Sequence, residues 1–481
     1  MCLQPEPTSP ACNLYGNRTT SVRFFLDSHG FPSSPGRNPN TFVRYEDCSL
    51  RLDVPKVSSP FGLIAVALSL TAQTPSPSLT LDQVLDEALN RNLRLLAERL
   101  NVSIGEARLI QARLKPNPVL SVGGNYLDVL GSGFDPRKSA AGPTEVNARL
   151  DYLLERGHKR QERIAVAEAT RAVSQLELLN STRTLILDVQ NGFTEVLLAK
   201  ENLALARASL EAFNRIVAVN RTRVDSGDLA KVELVRSEVA ALQFRNQVRQ
   251  SEMRLRIARN RLQALMGRTV FARDFDITGA LRRDRLLLRQ PEILQAALAA
   301  RPDLDALRRD QARSQAEVRL QLAQGKVDYS IGAGYNRQWN VGAGQRGDSL
   351  GVFFSLPLPV YNRNQGEIER AKQEQSQIQA RVRSLEQEIA AEVANAYEQY
   401  STAQALLESI EADMLQQAGR VREVIDFSYR RGEATFVELL DAQRTFNETM
   451  QALNEARAEY ARSLFLIDSI AGTTSRKGIT K

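Results

Sequence analysis

Two unlike stretches of this chain recur at a single spacing. Gln83-Val-Leu-Asp-Glu-Ala-Leu89 lines up with Glu292-Ile-Leu-Gln-Ala-Ala-Leu298, and Ser121-Val-Gly-Gly-Asn-Tyr126 with Ser330-Ile-Gly-Ala-Gly-Tyr335, each pair 209 residues apart. The first match has the period of a helix and the second the period of a strand, so a shared offset is hard to obtain by chance. Any fold for this chain must therefore contain the same unit twice.

The unit begins with a capping box, Thr80 answered by Gln83, ahead of an apolar helix face carrying Val84, Leu85, Ala88, Leu89, Leu93 and Leu96. That pattern continues through Ile104, Ala107 and Ile110 until Pro116 and Pro118 stop it. The period then changes to two. Leu120, Val122, Gly124 and Tyr126 alternate with Ser121, Gly123 and Asn125, and beyond a Gly/Pro-rich loop Val146, Ala148, Leu150 and Tyr152 alternate with Asn147, Arg149 and Asp151. These are two strands with unusually polar second faces.

Helical spacing returns near Lys159 and persists for about 65 residues, roughly 100 Å if unbroken. Gly227 reverses the chain, and the return helix reaches about Met266 before a less regular connection from Thr269 to Arg289. The second unit repeats the plan. Tyr329, Ile331, Ala333 and Tyr335 oppose Asp328, Ser330, Gly332, Gly334 and Asn336; Leu350, Val352, Phe354 and Leu356 oppose Ser349, Gly351 and Ser355, with Phe353 interrupting the polar side. A helix from about Gly366 to Arg430 then turns at Gly432, and its partner runs to about Ile470. The expected division is 73–290 for the first repeat, 291–472 for the second and 473–481 for a loose tail.

Composition supports long helices over ordinary globular domains: 43% hydrophobic and 25% charged residues, with only 6% aromatic. The net charge of +7 comes from basic residues interleaved with acidic ones, and with no basic block or aromatic ladder it indicates no nucleic-acid partner. Residues 1–53 hold all three cysteines and no helical period, and read as a disordered extension or as translated sequence upstream of the true start. Residues 54–72 follow as a signal peptide, with Lys56 ahead of the apolar run Phe61–Leu70 and cleavage before Gln73. A buried helix start accounts for the same run. If the leader is real, the mature chain has no cysteine, hence neither a disulfide nor a lipid-anchor site, and works outside the cytoplasm.

Four alternating strands cannot close a barrel, yet one apolar and one polar face suits lipid on one side and water on the other. A soluble protein would cover the apolar face with a helix or a second sheet. Open edges in lipid are prohibitive, so a membrane sheet requires assembly, and three chains would supply twelve strands.

Here the chain resembles the outer-membrane efflux family, the TolC-like channels, over approximately 80–472, most closely the branch serving heavy-metal and cation exporters. The residues carrying the resemblance are Pro359-Val-Tyr-Asn-Arg-Asn-Gln-Gly-Glu-Ile368, which includes Tyr361, Asn362, Arg363, Gln365, Gly366 and Glu367, together with Tyr429-Arg-Arg-Gly432 and Glu438-Leu-Leu-Asp-Ala-Gln443. Gly227 and Glu233-Leu-Val235 take the equivalent tip positions, and Glu155–Gln161 is a looser first-half counterpart of the strand-to-helix motif. The resemblance implies a mainly α fold with membrane β: a homotrimer with a twelve-stranded barrel in outer-membrane lipid and a long helical barrel crossing the periplasm. It implies a periplasmic adaptor and an RND-type inner-membrane pump as partners. Cations, heavy metals or small toxic compounds are the implied cargo.

The same resemblance assigns adaptor contact to Gly227, Asp228, Gly432 and Glu433, and the periplasmic gate to Glu233, Tyr429 and Asp441. The family's gate arginine falls on Ala434, leaving Arg430 or Arg431 as replacements. Asn147, Arg149, Asp151, Asp328, Ser330 and Asn336 are lumen candidates, Arg149 and Asp151 also being placed to pair with each other. Tyr126, Tyr152, Tyr335, Trp339 and Phe354 are candidates for lipid or headgroup contact. With His29 and His158 as the only histidines, no metal site or cofactor is expected, and no nucleotide loop or nucleophile constellation marks an enzyme. A multidrug or type I protein-secretion conduit shares this architecture. A soluble periplasmic coiled-coil adaptor or scaffold is the reading from a different class.

Overall fold

The computed structural model describes residues 78–125, 144–285, 289–339 and 346–472, all within one compact unit, Gln73–Lys481. The expectations for 1–53, 54–72 and 473–481, for Tyr126 and for the side chain of Trp339 fall outside the described residues.

Helices α1 (Leu81–Arg91) and α2 (Leu93–Arg113) precede strands β1 (Val119–Asn125) and β2 (Thr144–Leu154), then the helical hairpin α3 (Lys159–Asp225) and α4 (Lys231–Leu265). The order recurs as α5 (Gln290–Ala300), α6 (Pro302–Gln324), β3 (Tyr329–Trp339), β4 (Arg346–Ser355), α7 (Gln365–Ser409), α8 (Leu415–Arg431) and α9 (Phe436–Ile470). Helix α3 runs 67 residues without a break, about 100 Å. Its counterpart is interrupted by a π-helical turn, Ile410–Met414, between α7 and α8. Each long helix starts from a residue in the left-handed region, His158 at φ 61° and Asn364 at φ 65°.

Thr80 and Gln83 form the expected capping box. The helix they start does not continue to Pro116, however. It breaks at Asn92, which takes an extended conformation (φ −66°, ψ 120°), accepts hydrogen bonds from the backbone N–H groups of Arg94 and Leu95, and donates to the Leu265 carbonyl. An asparagine offers the next helix a cap that a continuous helix has no use for. The break turns the apolar face: Leu95 is buried, while the expected core positions Leu93 and Leu96 are exposed.

The four strands form one antiparallel sheet in the order β1-β2-β3-β4, with β2 and β3 joining the two repeats. Each repeat builds its own apolar core. Val84, Val189, Phe193 and Leu262 lie at the centre of the first, and Ile293, Ile389, Val393 and Leu464 at the centre of the second.

Between the hairpins polar contacts recur along the middle of the helices. Asn202 accepts from Asn454 at 3.0 Å, Asn447 accepts from Ser209 at 2.9 Å, and Arg462 donates to Glu195 at 2.6 Å. Positions 195, 202 and 209 on α3 stand seven apart, so these links repeat along one seam as coiled-coil contacts do.

Candidate functional site

The sheet has two faces of opposite character, and the register fixes which residues share each. Leu120 pairs with Leu150 and Val122 with Ala148; across the later strands Ile331 pairs with Phe354, Ala333 with Val352 and Tyr335 with Leu350. No described residue covers this face: Leu350 is 87% exposed, Val352 84% and Val122 71%. A patch this large and apolar is not left to water. At the end remote from the helices it gives way to polar groups, where Tyr335 donates to Asp348 at 2.7 Å beside Arg337.

The opposite face carries Asn147, Arg149, Asp151, Ser330 and Asn336 together, with Gly123, Gly332, Gly334 and Gly351 among them. Its side chains are more buried than those of the apolar face, as on the inside of a curved sheet. The glycines explain how it fits together. A Cβ on Gly332 would stand 2.1 Å from Asp151 Oδ1, and one on Gly334 would stand 2.9 Å from the Phe353 ring. Phe353, which interrupts the polar pattern, lies on this glycine bed beneath the Arg149 guanidinium, 4.1 Å from the ring centroid. Arg149 also donates to Asp151 at 2.7 Å, the local pairing expected from their shared face. Asp328 stands just before β3, where it accepts from Lys159 Nζ at 2.7 Å and from the Arg156 N–H at 2.8 Å, at the joint between sheet and helices.

The Pro359–Ile368 motif forms that joint in the second repeat. Asn362 accepts from the Asn364 N–H, Gln365 accepts from the Arg363 N–H and donates to the Tyr361 carbonyl, and Asn364 donates to the Gln321 carbonyl at 2.9 Å. Arg363 also donates to the Pro359 carbonyl, and Glu367 pairs with Arg370. Gly366 has open space where a Cβ would lie.

At the far ends of the helices, Gly227 (φ 84°) and Gly432 (φ 81°) end α3 and α8 in the left-handed conformation that glycine adopts most cheaply. Each is followed by an exposed acidic residue whose N–H closes the turn: Asp228 donates to the Arg223 carbonyl at 2.8 Å and Glu433 to the Ser428 carbonyl at 2.9 Å. An aromatic cluster ties the two tips together. Phe213 stacks on Phe244 at 4.3 Å and meets Phe436 edge-on, while Tyr429 packs against Phe436.

Within this cluster Tyr429 donates its hydroxyl to Asn220 Oδ1 at 2.8 Å, linking α8 to α3. Burial pushes the phenol up from its ordinary value, so it stays a neutral donor. Asn220 is fully buried, and its Nδ2 has no partner among the described residues. A buried unsatisfied donor weakens the link it belongs to. Arg223 reaches across to the Tyr429 carbonyl at 3.4 Å, its guanidinium lying against Gly432.

The other gate candidates are engaged locally. Glu233 pairs with Arg236 at 2.8 Å and Arg430 with Asp426 at 2.7 Å, while Arg431 lies 4.2 Å over the Phe427 ring. Asp441 is exposed in a groove between α8 and α9 with Met414, Val421, Ile425 and Thr445. Ala434 packs on the tip cluster, where an arginine would have to leave the apolar contact. Sequence reasoning missed Asn220 and Arg223. The signal was available for Asn220: Phe213, Ile216, Val217 and Val224 share its stripe, and a lone amide on an apolar stripe needs a buried partner.

Among the described residues no group of three or more His, Cys, Asp or Glu side chains is placed to hold a metal ion. No helix among them is long and apolar enough to cross a membrane.

A family model described as outer membrane efflux protein matches residues 84–268 and again 293–473. The cobalt-zinc-cadmium resistance protein CzcC of Cupriavidus metallidurans is 28% identical over 370 residues, which cover 76% of this chain and 84% of that protein. Nodulation protein T of Rhizobium leguminosarum bv. trifolii is 22% identical, over 82% of this chain and 85% of its own. Among solved structures, the CmeC outer membrane channel of Campylobacter jejuni superposes with a TM-score of 0.67 at 16% identity, covering 88% of this chain and 97% of that one. The outer membrane protein VceC of Vibrio cholerae gives 0.64 at 17%, over 82% and 96%.

Proposed function

We propose, for a chain that belongs to the outer membrane efflux protein family, that three copies close a twelve-stranded barrel and carry cations or heavy metals outward. Membership of the family makes the protein an outer-membrane channel of the tripartite efflux type with a large periplasmic helical part, a conduit and not an enzyme. The observation that carries the trimer is the uncovered apolar face of an open sheet. Its two long strands have 11 residues each, the length that spans a bilayer when tilted by about 45°. An open sheet in lipid leaves β1 and β4 with unpaired edges, and three-fold pairing of β4 with the next copy's β1 removes every edge. A soluble adaptor or scaffold gives no account of that face.

The helical tips, with Gly227, Asp228, Gly432 and Glu433 outermost, suit docking of a periplasmic adaptor that couples the channel to an RND-type inner-membrane pump. Closure at this end is assigned to the link between Tyr429 and Asn220, with Arg223 supplying the guanidinium that position 434 lacks. Replacing Tyr429 by Phe removes the hydrogen bond and keeps the ring, so the single-channel conductance of Tyr429→Phe rises severalfold over wild type. Equal conductance would return Tyr429 to a packing role.

Cation cargo is favoured over drugs by the similarity to a cobalt-zinc-cadmium resistance protein. Deleting the gene is expected to sensitise its host to Co2+, Zn2+ and Cd2+ while leaving tolerance of dyes and detergents unchanged. The reverse pattern would make the channel a multidrug or secretion conduit.

A further inference from the structure

Glu145 lies on the polar face of β2, in register with Gln338 of β3 and Asn125 of β1, at the end of the sheet remote from the helices. Its two carboxylate oxygens are held by neutral amides from both neighbouring strands: Asn125 donates at 3.3 Å and Asn336 at 3.4 Å. Glu145 forms no ion pair among the described residues. The next charges along the same face, Arg149 and Asp151, neutralise each other, and Lys159 neutralises Asp328 at the joint. Among the described residues Glu145 therefore leaves this face with a net negative charge, although the whole chain is basic at +7.

A second observation points the same way. The Oδ1 of Asn336 is buried and has no hydrogen-bond partner among the described residues, while the Nδ2 of the same amide faces the Glu145 carboxylate. A half-turn of this amide puts its unused oxygen beside the carboxylate, and the two then form an arrangement of hard oxygen ligands.

We infer that Glu145, with Asn336 beside it, makes the outer end of the barrel lumen selective for hard cations. The inference rests on the trimeric reading above, in which the three-fold axis turns one carboxylate into a ring of three. Such a ring in a narrow, water-filled channel with low-dielectric walls concentrates cations and repels anions without holding either tightly. The ring sets charge selectivity and leaves the choice among metals to the pump.

The test is the reversal potential of the purified full chain in a planar bilayer under a KCl gradient, with assembly mass measured on the same preparation. The wild type favours K+ over Cl−, and Glu145→Gln lowers the permeability ratio by about threefold or more while remaining a conducting trimer. Millimolar Mg2+ added from the side of the strand hairpins reduces wild-type current, and both Glu145→Gln and Asn336→Leu weaken that effect. Conducting trimers whose ratio is the same in wild type and Glu145→Gln overturn the Glu145 assignment alone. A preparation without trimers or conductance steps overturns the assembly and the ring with it.

Discussion

The two repeats solve the same structural problem with different side chains. At the kink between the two short helices, Asn92 in the first repeat corresponds to Arg301 in the second. Asn92 caps the following helix with its own oxygen. Arg301 offers no acceptor, and its helix instead starts on Pro302, whose missing N–H needs none. The arginine, 3% exposed, reaches Asp303 and Glu392, and close by Arg183 from α3 donates to the Ser469 carbonyl at 3.2 Å. Burial and the neighbouring Arg301 push Arg183 down from its ordinary value, so the carboxylates have to hold two guanidiniums together.

The long helices differ as well. Helix α3 is continuous, whereas the π-helical turn between α7 and α8 adds a local distortion, anchored by Ile410 in a small apolar cluster and by Glu411 on Arg457 at 2.8 Å. The lesson is that duplication preserved lengths and turns but let the two halves diverge in polarity. At the kink the first relies on a cap and the second on buried charge.

The strongest way to break this contrast is Arg301→Ala, which removes a buried guanidinium and leaves Asp303 only its 3.7 Å pair with Arg183, and should cost about 4 kcal/mol in unfolding free energy. A loss no larger than that of a surface arginine would show that the buried network adds nothing. Leu262→Ala and Leu464→Ala remove fully buried side chains from the two apolar cores, and each should cost about 3 kcal/mol. Similar values confirm that the cores are equivalent where the kinks are not, and a difference of more than about 2 kcal/mol would separate them. Asn92→Ala, the cap counterpart of Arg301→Ala, should cost only about 1 kcal/mol.

The smallest effect is one of pH. Glu87 pairs with Arg268 at 2.7 Å, and this hydrogen bond holds its carboxyl below the ordinary value. A depressed carboxylate contributes stability in full above the ordinary carboxylate range and loses it as pH falls through the folded-state value. The second repeat has Ala296 at the equivalent place. The stability gap between wild type and Arg268→Gln at neutral pH should therefore close as pH falls below the ordinary carboxylate range. A gap that persists in acid would assign Arg268 to packing, where it lies 5.1 Å over the Phe275 ring.

Much of this fold was legible because its signals are periodic. Alternation placed the strands, and Gly227 and Gly432 placed the reversals at positions where the backbone turns left-handed. The break at Asn92 was not legible, since an asparagine within a good apolar period reads as a tolerated helix residue until its neighbour Leu265 supplies the carbonyl it binds. The π-helical turn changes no residue type and leaves no pattern. At the tips, Tyr429 stood out but its partner did not. Asn220 lies 209 positions earlier, and only the packing of α3 against α8 brings the two together. Arg149 and Asp151 could be paired from their spacing, whereas the support of Phe353 by Gly334 and Gly351 depends on strand register.

An open sheet with its apolar face outward becomes a conduit only as part of a closed assembly. This requirement is tested most directly by determining the native mass of the detergent-extracted protein and recording single channels from that same preparation. Three chains per particle with discrete conductance steps are the predicted result. A monomer or dimer that stays soluble without detergent and never conducts would contradict it.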